Sequence, residues 1–464
     1  MRLYEIPAHL PFLPTLAEGV LGWVGLEDPL ALSRVTILLP TRRSALALRE
    51  AFLRTAGNQT LLLPRMRALT GLSTEEADEL ALPTLLDLPP AVDAARRQAV
   101  LTEMVMRLPS RYGGPNSPEQ AWGLATALAE LMDEVALEGV DDGKLSSLVP
   151  EEFATHWQVT LTFLRGVLDA WDAWLKEEGL MDIGPRRVAA LRAQAEIWKT
   201  NPPEHPVIAA GIGAGGTIPA AAELLRVIAR MRQGAVVLHG PGEVHSPELW
   251  EAIGRSPTHP LSGQVRLLSA MGATPADLRP WPGNGTGQPA LERRAELISC
   301  SLRPADGVEA WLDRRPDYWL PALKGLSYLD APDVQSEAVA IALLLREALE
   351  HPGARAALIT PDRDLGRRVA AELMRHGVLA DDSAGQPLGE TPTGAFLRLI
   401  AQAVAEGFAP VPLLALLKHP LSAGGMARAE WMEAVRLLER RALRGPRPAP
   451  GLPGLRARVA EAFR

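Results

Sequence analysis

Residues 35–55 read VTILLPTRRSALALREAFLRT. Val35–Pro40 is an unbroken apolar run of β-branched and leucine residues, the pattern of a strand buried on both faces. Ser44–Arg54 then spaces its apolar residues three and four apart, which predicts a helix lying on that strand. A strand running through a short turn into a helix predicts a parallel α/β sheet. Pro40-Thr41-Arg42-Arg43 would then sit on the loop at a strand's carboxyl end, where such sheets bind their ligands.

Working outward, Leu3–Ile6 reads as a short first strand and Leu13–Leu21 as the helix after it. Pro206–Gly211 (PVIAAG), a helix over Ile218–Met231 and a strand at Ala235–His239 make a further βαβ unit. Between these, apolar positions recur at helical spacing: Leu124, Leu128, Leu131 and Val135, then Phe153, Trp157, Leu161, Leu164, Leu168, Trp171 and Leu175. Ser117-Pro118 is an N-cap followed by a first-turn proline. We therefore expect an all-helical insertion over residues 91–200, with its tryptophans in the core. A second α/β region is expected from Leu326–Asp330, with a helix at Val334–Leu349, a strand at Ala356–Thr360, and helices at Leu365–His376 and Thr393–Ala405. Pro/Gly-rich breaks at Pro109–Pro118, Asn201–Pro206, Arg279–Pro289 and Gly445–Gly454 suggest boundaries. The plan is a sheet domain from 1–90 and 201–280, the insertion at 91–200, a linker at 281–325 and the start of a second domain at 326–464.

With 464 residues the chain is too long for one hydrophobic core, and 47% hydrophobic residues suffice to build several. The single cysteine, Cys300, excludes an internal disulfide, a CxxC zinc site and a cysteine-ligated iron–sulfur cluster within these residues. A reducing compartment suits it. No signal-like start and no apolar run long enough to span a bilayer appears, so we expect a cytoplasmic protein with no membrane partner. The net charge of −7 argues against a surface that coats nucleic acid everywhere. The charge is uneven, however: Arg34 to Arg67 holds seven arginines against the single acid Glu50.

Gly211-Ile-Gly213-Ala-Gly215-Gly216 follows one predicted strand and precedes a helix, so it fits the spacing GxGxxG of a phosphate cradle. A dinucleotide fold would end the next strand in an acid, and here that strand ends His239-Gly240-Pro241. A Walker loop would place a lysine before its hydroxyl, and Gly216 is followed directly by Thr217. Gly211, Gly213, Gly216 and Thr217 are thus a nucleotide site or simply a tight turn that needs small residues. Glu130, Asp133, Glu134 and Glu138 share one helix, and the expectation is a solvated polar face. No metal site and no catalytic residue is expected.

The basic loop is the best positive signal. Thr41, Arg42, Arg43 and Ser44 offer hydroxyl and guanidinium donors beside a helix N-terminus, and Arg65 and Arg67 follow the next apolar run. Such donors suit a phosphate backbone, and one strand of nucleic acid could cross both loops. The competing reading is that these arginines only solvate an α/β surface.

Val35–Arg43 with Ala45–Phe52 and Leu61–Leu69 (LLLPRMRAL) resembles the start of the AddB family, the second subunits of AddAB helicase–nucleases of double-strand-break repair, in its alphaproteobacterial form. HPVIAAG, GAVVLHG, the helix of Ala331–Leu349 and the stretch Ala356–Ile400 resemble the family in the same order. The resemblance implies a UvrD-type, RecA-like first domain with a helical accessory insertion, followed by part of a second helicase-like domain. It implies that Pro40–Ser44 and Leu63–Arg67 are the single-stranded DNA contacts. It also implies an AddA-like helicase subunit as partner, on single-stranded or unwinding double-stranded DNA.

Where a working helicase carries GxGKT, residues 6–15 read IPAHLPFLPT, with neither a glycine cradle nor a lysine. No Asp-Glu pair follows Pro206–Ala210 to hold magnesium. A non-hydrolysing module is therefore implied, with its motor in the partner. The family's nuclease domain, with its magnesium and iron–sulfur cluster, is absent from these residues. A nucleotide-binding α/β enzyme using Gly211–Gly216 and a purely structural scaffold are the alternatives.

Overall fold

The computed structural model describes residues 1–25, 28, 30–57, 60–69, 88–107, 115, 117–140, 154–213, 218–242, 246–283, 288–312, 315–383 and 385–464. It is mostly helical and divides into two compact units, Met1–Leu326 and Ser327–Arg464.

The first unit is built on a six-stranded sheet of β1 (Leu3–Ile6), β2 (Thr36–Leu39), β3 (Arg65–Ala68), β4 (Val207–Ala210), β5 (Gly234–His239) and β6 (Arg279–Pro280). Every pairing is parallel, in the order β3-β2-β4-β5-β1-β6. Successive side chains of a strand point to opposite faces, and both faces here are apolar. Ile6, Ile37, Leu39, Ile208, Ala210, Ala235 and Val237 pack beneath the helices Phe12–Val24 and Arg42–Thr55. Leu3, Leu38, Val207, Ala209, Val236 and Leu238 pack against Ile183–Thr200, Pro219–Arg230, Pro247–Arg255 and Ser262–Met271 on the other side.

The division of helices follows from handedness. The connections β1 to β2 to β3 run toward one edge, and β3 to β4 to β5 to β6 run back toward the other. Right-handed crossovers must then leave the two sets of helices on opposite faces. Two pairs of neighbours, β2 with β4 and β5 with β1, consequently send their following connections to opposite faces, the arrangement at which such sheets place ligand crevices.

The connection from β3 to β4 carries the helical insertion: Ala94–Met106, Pro118–Glu138, Ala154–Glu178 and Ile183–Thr200. Its core holds Leu101, Val105, Val167, Trp171 and Leu175, with Trp174 stacked on Trp171. The side of Pro118–Glu138 turned inward is its alanine stripe, Ala121, Ala125 and Ala129 with Leu128, whereas Leu124 is exposed. Small residues let the helices approach, so the leucines do not mark the buried seam. The side chains of Phe153, Trp157 and Leu161 lie outside the described residues.

Asp133 corrects the expectation of a solvated face. It takes two hydrogen bonds from the buried Arg97 guanidinium, at 2.8 and 3.0 Å, while Glu130, Glu134 and Glu138 are exposed. Arg97 also pairs with buried Asp182 at 2.8 Å, and Asp182 accepts from Trp171 Nε1 at 3.1 Å and from the Ile183 amide at 2.8 Å. Burial works against the Arg97 charge, but the bonds to Asp133 and the charge of Asp182 outweigh it and raise its pKa above the ordinary value. One cation thereby ties three helices together.

The span expected to be a linker, 281–325, carries the helix Pro289–Ser301 and further short turns. The second unit departs from expectation more sharply. Its described residues form helices, Val334–Ala348, Arg363–Arg375, Pro392–Ala405, Pro410–Lys418, Arg428–Leu438 and Gly451–Ala462, and contain no strand. Leu326–Asp330, read as the start of a second α/β region, and Ala356–Thr360, read as a strand, carry no ladder; Tyr328 is 91% and Ile359 94% exposed. A strand persists only where a neighbour takes its backbone hydrogen bonds, and none stands beside these segments among the described residues.

Candidate functional site at the carboxyl edge of the sheet

The crevice between β2 and β4 gathers two of the segments singled out in the sequence. Thr41 has extended backbone angles and caps the helix Arg42–Thr55: its hydroxyl accepts from the Ser44 amide at 3.1 Å and lies 2.9 Å from the Ser44 hydroxyl. The two hydroxyls are thus committed first to each other, with one proton of the pair left to point outward. Arg42 and Arg43 occupy the first two helical positions and are exposed. Their charge stands at the end of the helix that already carries partial positive charge.

Across the crevice, Gly211 closes β4 with φ +69°, a conformation that favours glycine. A Cβ there would lie 3.4 Å from the Phe12 ring and 3.7 Å from Pro40 Cγ, so the ends of β4 and β2 are in van der Waals approach. The Gly213 amide turns back onto the Gly211 carbonyl at 3.1 Å, making a tight turn. Nothing stands within 4 Å of a Cβ built on Gly213. Gly216 and Thr217 lie outside the described residues.

Arg65 and Arg67 are not loop residues. Both lie within β3, the edge strand, paired in register with Thr36 and Leu38 of β2. Leu38 belongs to the core layer under Ile183–Thr200, whereas Met66, between the two arginines, packs into the layer under Arg42–Thr55. The arginines therefore share the face opposite the helix that presents Arg42 and Arg43. The structure brings Pro40, just before Thr41, into van der Waals approach with Gly211, and places Arg65 and Arg67 on the other face of the sheet.

The crevice beside β5 holds residues the sequence reading passed over. Phe12 opens the helix after β1, and its ring lies on the His239 imidazole at the end of β5, with centroids 4.0 Å apart. Phe12 thus touches the ends of both β4 and β5, in the space above β5 that separates β1 from β4. His239 is exposed at the end of β5, and the partial cover on its ring lowers its imidazole pKa. The Gly240 amide donates to the Ile6 carbonyl at 2.8 Å, closing the end of β5 onto β1. The signal was present in IPAHLPFLPT: an aromatic at the first helical position, where a phosphate-binding helix would have small residues.

Among the described residues no three His, Cys, Asp or Glu side chains gather as metal ligands, and no helix is long and apolar enough to cross a membrane. No family model matches the chain, and no curated protein matches it.

Proposed function

We propose that this chain is a non-hydrolysing helicase-like module of the AddB type, which handles single-stranded DNA beside an ATP-driven, AddA-like partner in double-strand-break repair. The observation that carries this reading is the Phe12–His239 stack. In a helicase of RecA-like design, the loops after β1 and β4 would grip one nucleotide triphosphate from either side of the intervening strand. That is a gap of roughly 10 Å, two strand spacings. The order β4-β5-β1 supplies such a gap. Phe12 and His239 set two stacked rings there, and the turn Pro7–Leu10 has no lysine to meet a γ-phosphate. A ring stack in place of a glycine cradle suits a sheet that keeps the helicase layout without its hydrolysis.

The basic loop supports the DNA part of the reading. Two exposed arginines at a helix N-terminus suit a phosphate contact that reads charge without reading sequence. The alternative dinucleotide enzyme fits less well: that fold places its glycine loop after a central first strand in the order 3-2-1-4-5-6. Here the glycines follow β4, and β1 lies next to an edge strand.

The test is the affinity of the chain for fluorescent single-stranded DNA across a salt series, with ATP binding followed on the same preparation. The proposal expects affinity that falls with salt, a shallower slope in Arg42→Ala/Arg43→Ala, and no saturable ATP binding. Saturable ATP binding without DNA binding would overturn it.

A further inference from the structure

The crevice between the ends of β5 and β1 continues, on the side of the loop Pro7–Pro11 away from Phe12, into a cavity of about 310 Å³. Its floor is the end of the sheet itself, Ala8 and His9 after β1 and Gly240–Gly242 after β5. Gly242 has φ +70°, and a Cβ there would come within 3.0 Å of Ser299 Oγ, so the main chain presses directly against the helix Pro289–Ser301. That helix and the helix Pro247–Arg255 supply the apolar walls. Ile253 is buried, whereas Leu291, Ile298 and Leu302 are 37%, 52% and 44% exposed. These last three line the same cavity, so the exposed apolar surface of this helix is gathered around one hollow.

The charged groups of the lining are of one electrical sign. Arg294 and Arg303 supply them beside the imidazoles of His9 and His259, and among the described residues no aspartate or glutamate lines the cavity. Arg294 is fixed in place by donating from Nε to the Ala322 carbonyl at 3.0 Å and from a terminal nitrogen to the Lys324 carbonyl. Among the described residues no carboxylate pairs with it. The Arg303 side chain has no acidic partner among the described residues. His259 accepts the Leu261 amide on Nδ1 at 3.1 Å, which leaves Nε2 to carry the N–H. His9 alone touches an acid, Glu292 at 3.6 Å, and that acid stands outside the lining.

We propose that this cavity binds a small amphipathic anion: a ring-bearing molecule with one phosphate or carboxylate group. The volume lies at the lower end of the range of small-molecule sites, room for one ring system and its anionic group. Apolar walls take the ring, and Arg303, Arg294 and the His259 N–H take the charge. The position is the topological switch of a doubly wound sheet, where backbone amides and strand ends converge on ligands. Neither Phe12 nor His239 lines the site, which does not depend on the DNA reading.

The experiment is isothermal titration of the full chain, at low ionic strength, with adenosine monophosphate and separately with indole-3-acetate. Adenosine and indole-3-acetamide serve as uncharged counterparts. The expected result is one-to-one saturable binding of at least one anion, weaker binding of its uncharged counterpart, and loss of binding in Ile298→Trp, which fills the cavity from an exposed rim position. Arg303→Gln should weaken the anion about tenfold, the cost of a charge-assisted hydrogen bond. Thermal melting of both variants at the wild-type temperature keeps a folding defect from imitating the result. The proposal is overturned if neither anion titrates, or if binding survives Ile298→Trp unchanged.

Discussion

The Phe12 ring and the His239 imidazole lie 4.0 Å apart at their centroids, with planes inclined by 31°. Packing around His239 holds its pKa below the ordinary 6.5. The folded chain therefore binds fewer protons here than the unfolded chain. The contribution to stability is complete above the ordinary value and is lost as pH falls from there through the lowered one. Urea denaturation of the wild type should show less stability at pH 5.5 than at pH 7.5, and His239→Gln should reduce that difference. Imidazole proton resonances should place His239 below the ordinary value, and Phe12→Ala, which uncovers the one face of this otherwise exposed ring, should move it back up. A His239 titration unaffected by Phe12→Ala would show that the stack does not set it.

Two glycines three residues apart on the helix after β1 should respond with opposite signs. A Cβ on Gly19 would lie 2.0 Å from Trp281 Nε1 and 2.4 Å from the Pro282 carbonyl, so Gly19→Ala must push the strand-end tryptophan off the helix. A cost of about 1–3 kcal/mol is expected, typical of an overfilled core. Gly22 is exposed and meets nothing within 4 Å, so Gly22→Ala should stabilise by roughly 0.5–1 kcal/mol through helix propensity alone. Thermal melts of the two variants, side by side, decide it; equal effects would mean that Trp281 does not seat against Gly19.

The Arg97 node of the helical insertion predicts a lesion out of proportion to one surface-type residue. Arg97→Ala removes the partner of Asp182, which is 4% exposed, and of Asp133, leaving a buried carboxylate with only Trp171 Nε1 and one amide as donors. Breaking a buried pair in this way costs about 3–5 kcal/mol. Urea denaturation followed by tryptophan fluorescence should register the loss, because Trp171 bonds to the same Asp182. Replacing Arg97 and Asp133 together should cost less per residue removed than Arg97→Ala alone.

The parts of this architecture that were legible are those in which local chemistry and tertiary packing agree. β1 is observed over Leu3–Ile6 as read, and VTILLP and PVIAAG became β2 and β4 because strands covered on both faces need apolar residues at every position. β3 was illegible for the opposite reason. As an edge strand it buries only part of each face, so RMRA carries two arginines and looks like a loop. β6 is two residues long and hides in a proline-rich stretch. The Phe12–His239 contact joins residues 227 positions apart, and only the sheet order, which no local pattern encodes, brings them together. In the second unit, LSYLD and AALIT have strand chemistry without a ladder to complete it.

The placement of the arginines separates two groups that charge alone treats as one. Arg42 and Arg43 open a helix at the carboxyl edge, where the helix dipole and outward hydroxyl favour a phosphate. Arg65 and Arg67 stand along the edge strand, on the opposite face of the sheet, and Arg65 pairs with Thr36 at the amino end of β2. A single strand lying on the first pair would have to cross the sheet edge to reach the second. Each phosphate contact contributes about 0.7 to the slope of log affinity against log salt for single strands, so Arg42→Ala/Arg43→Ala should flatten the slope by about 1.4. Arg65→Ala/Arg67→Ala should leave it unchanged. Fluorescence anisotropy with an oligothymidine over a range of salt concentrations measures both. If the second pair flattens the slope as much as the first, the DNA path wraps the β3 edge and is not confined to the crevice between β2 and β4.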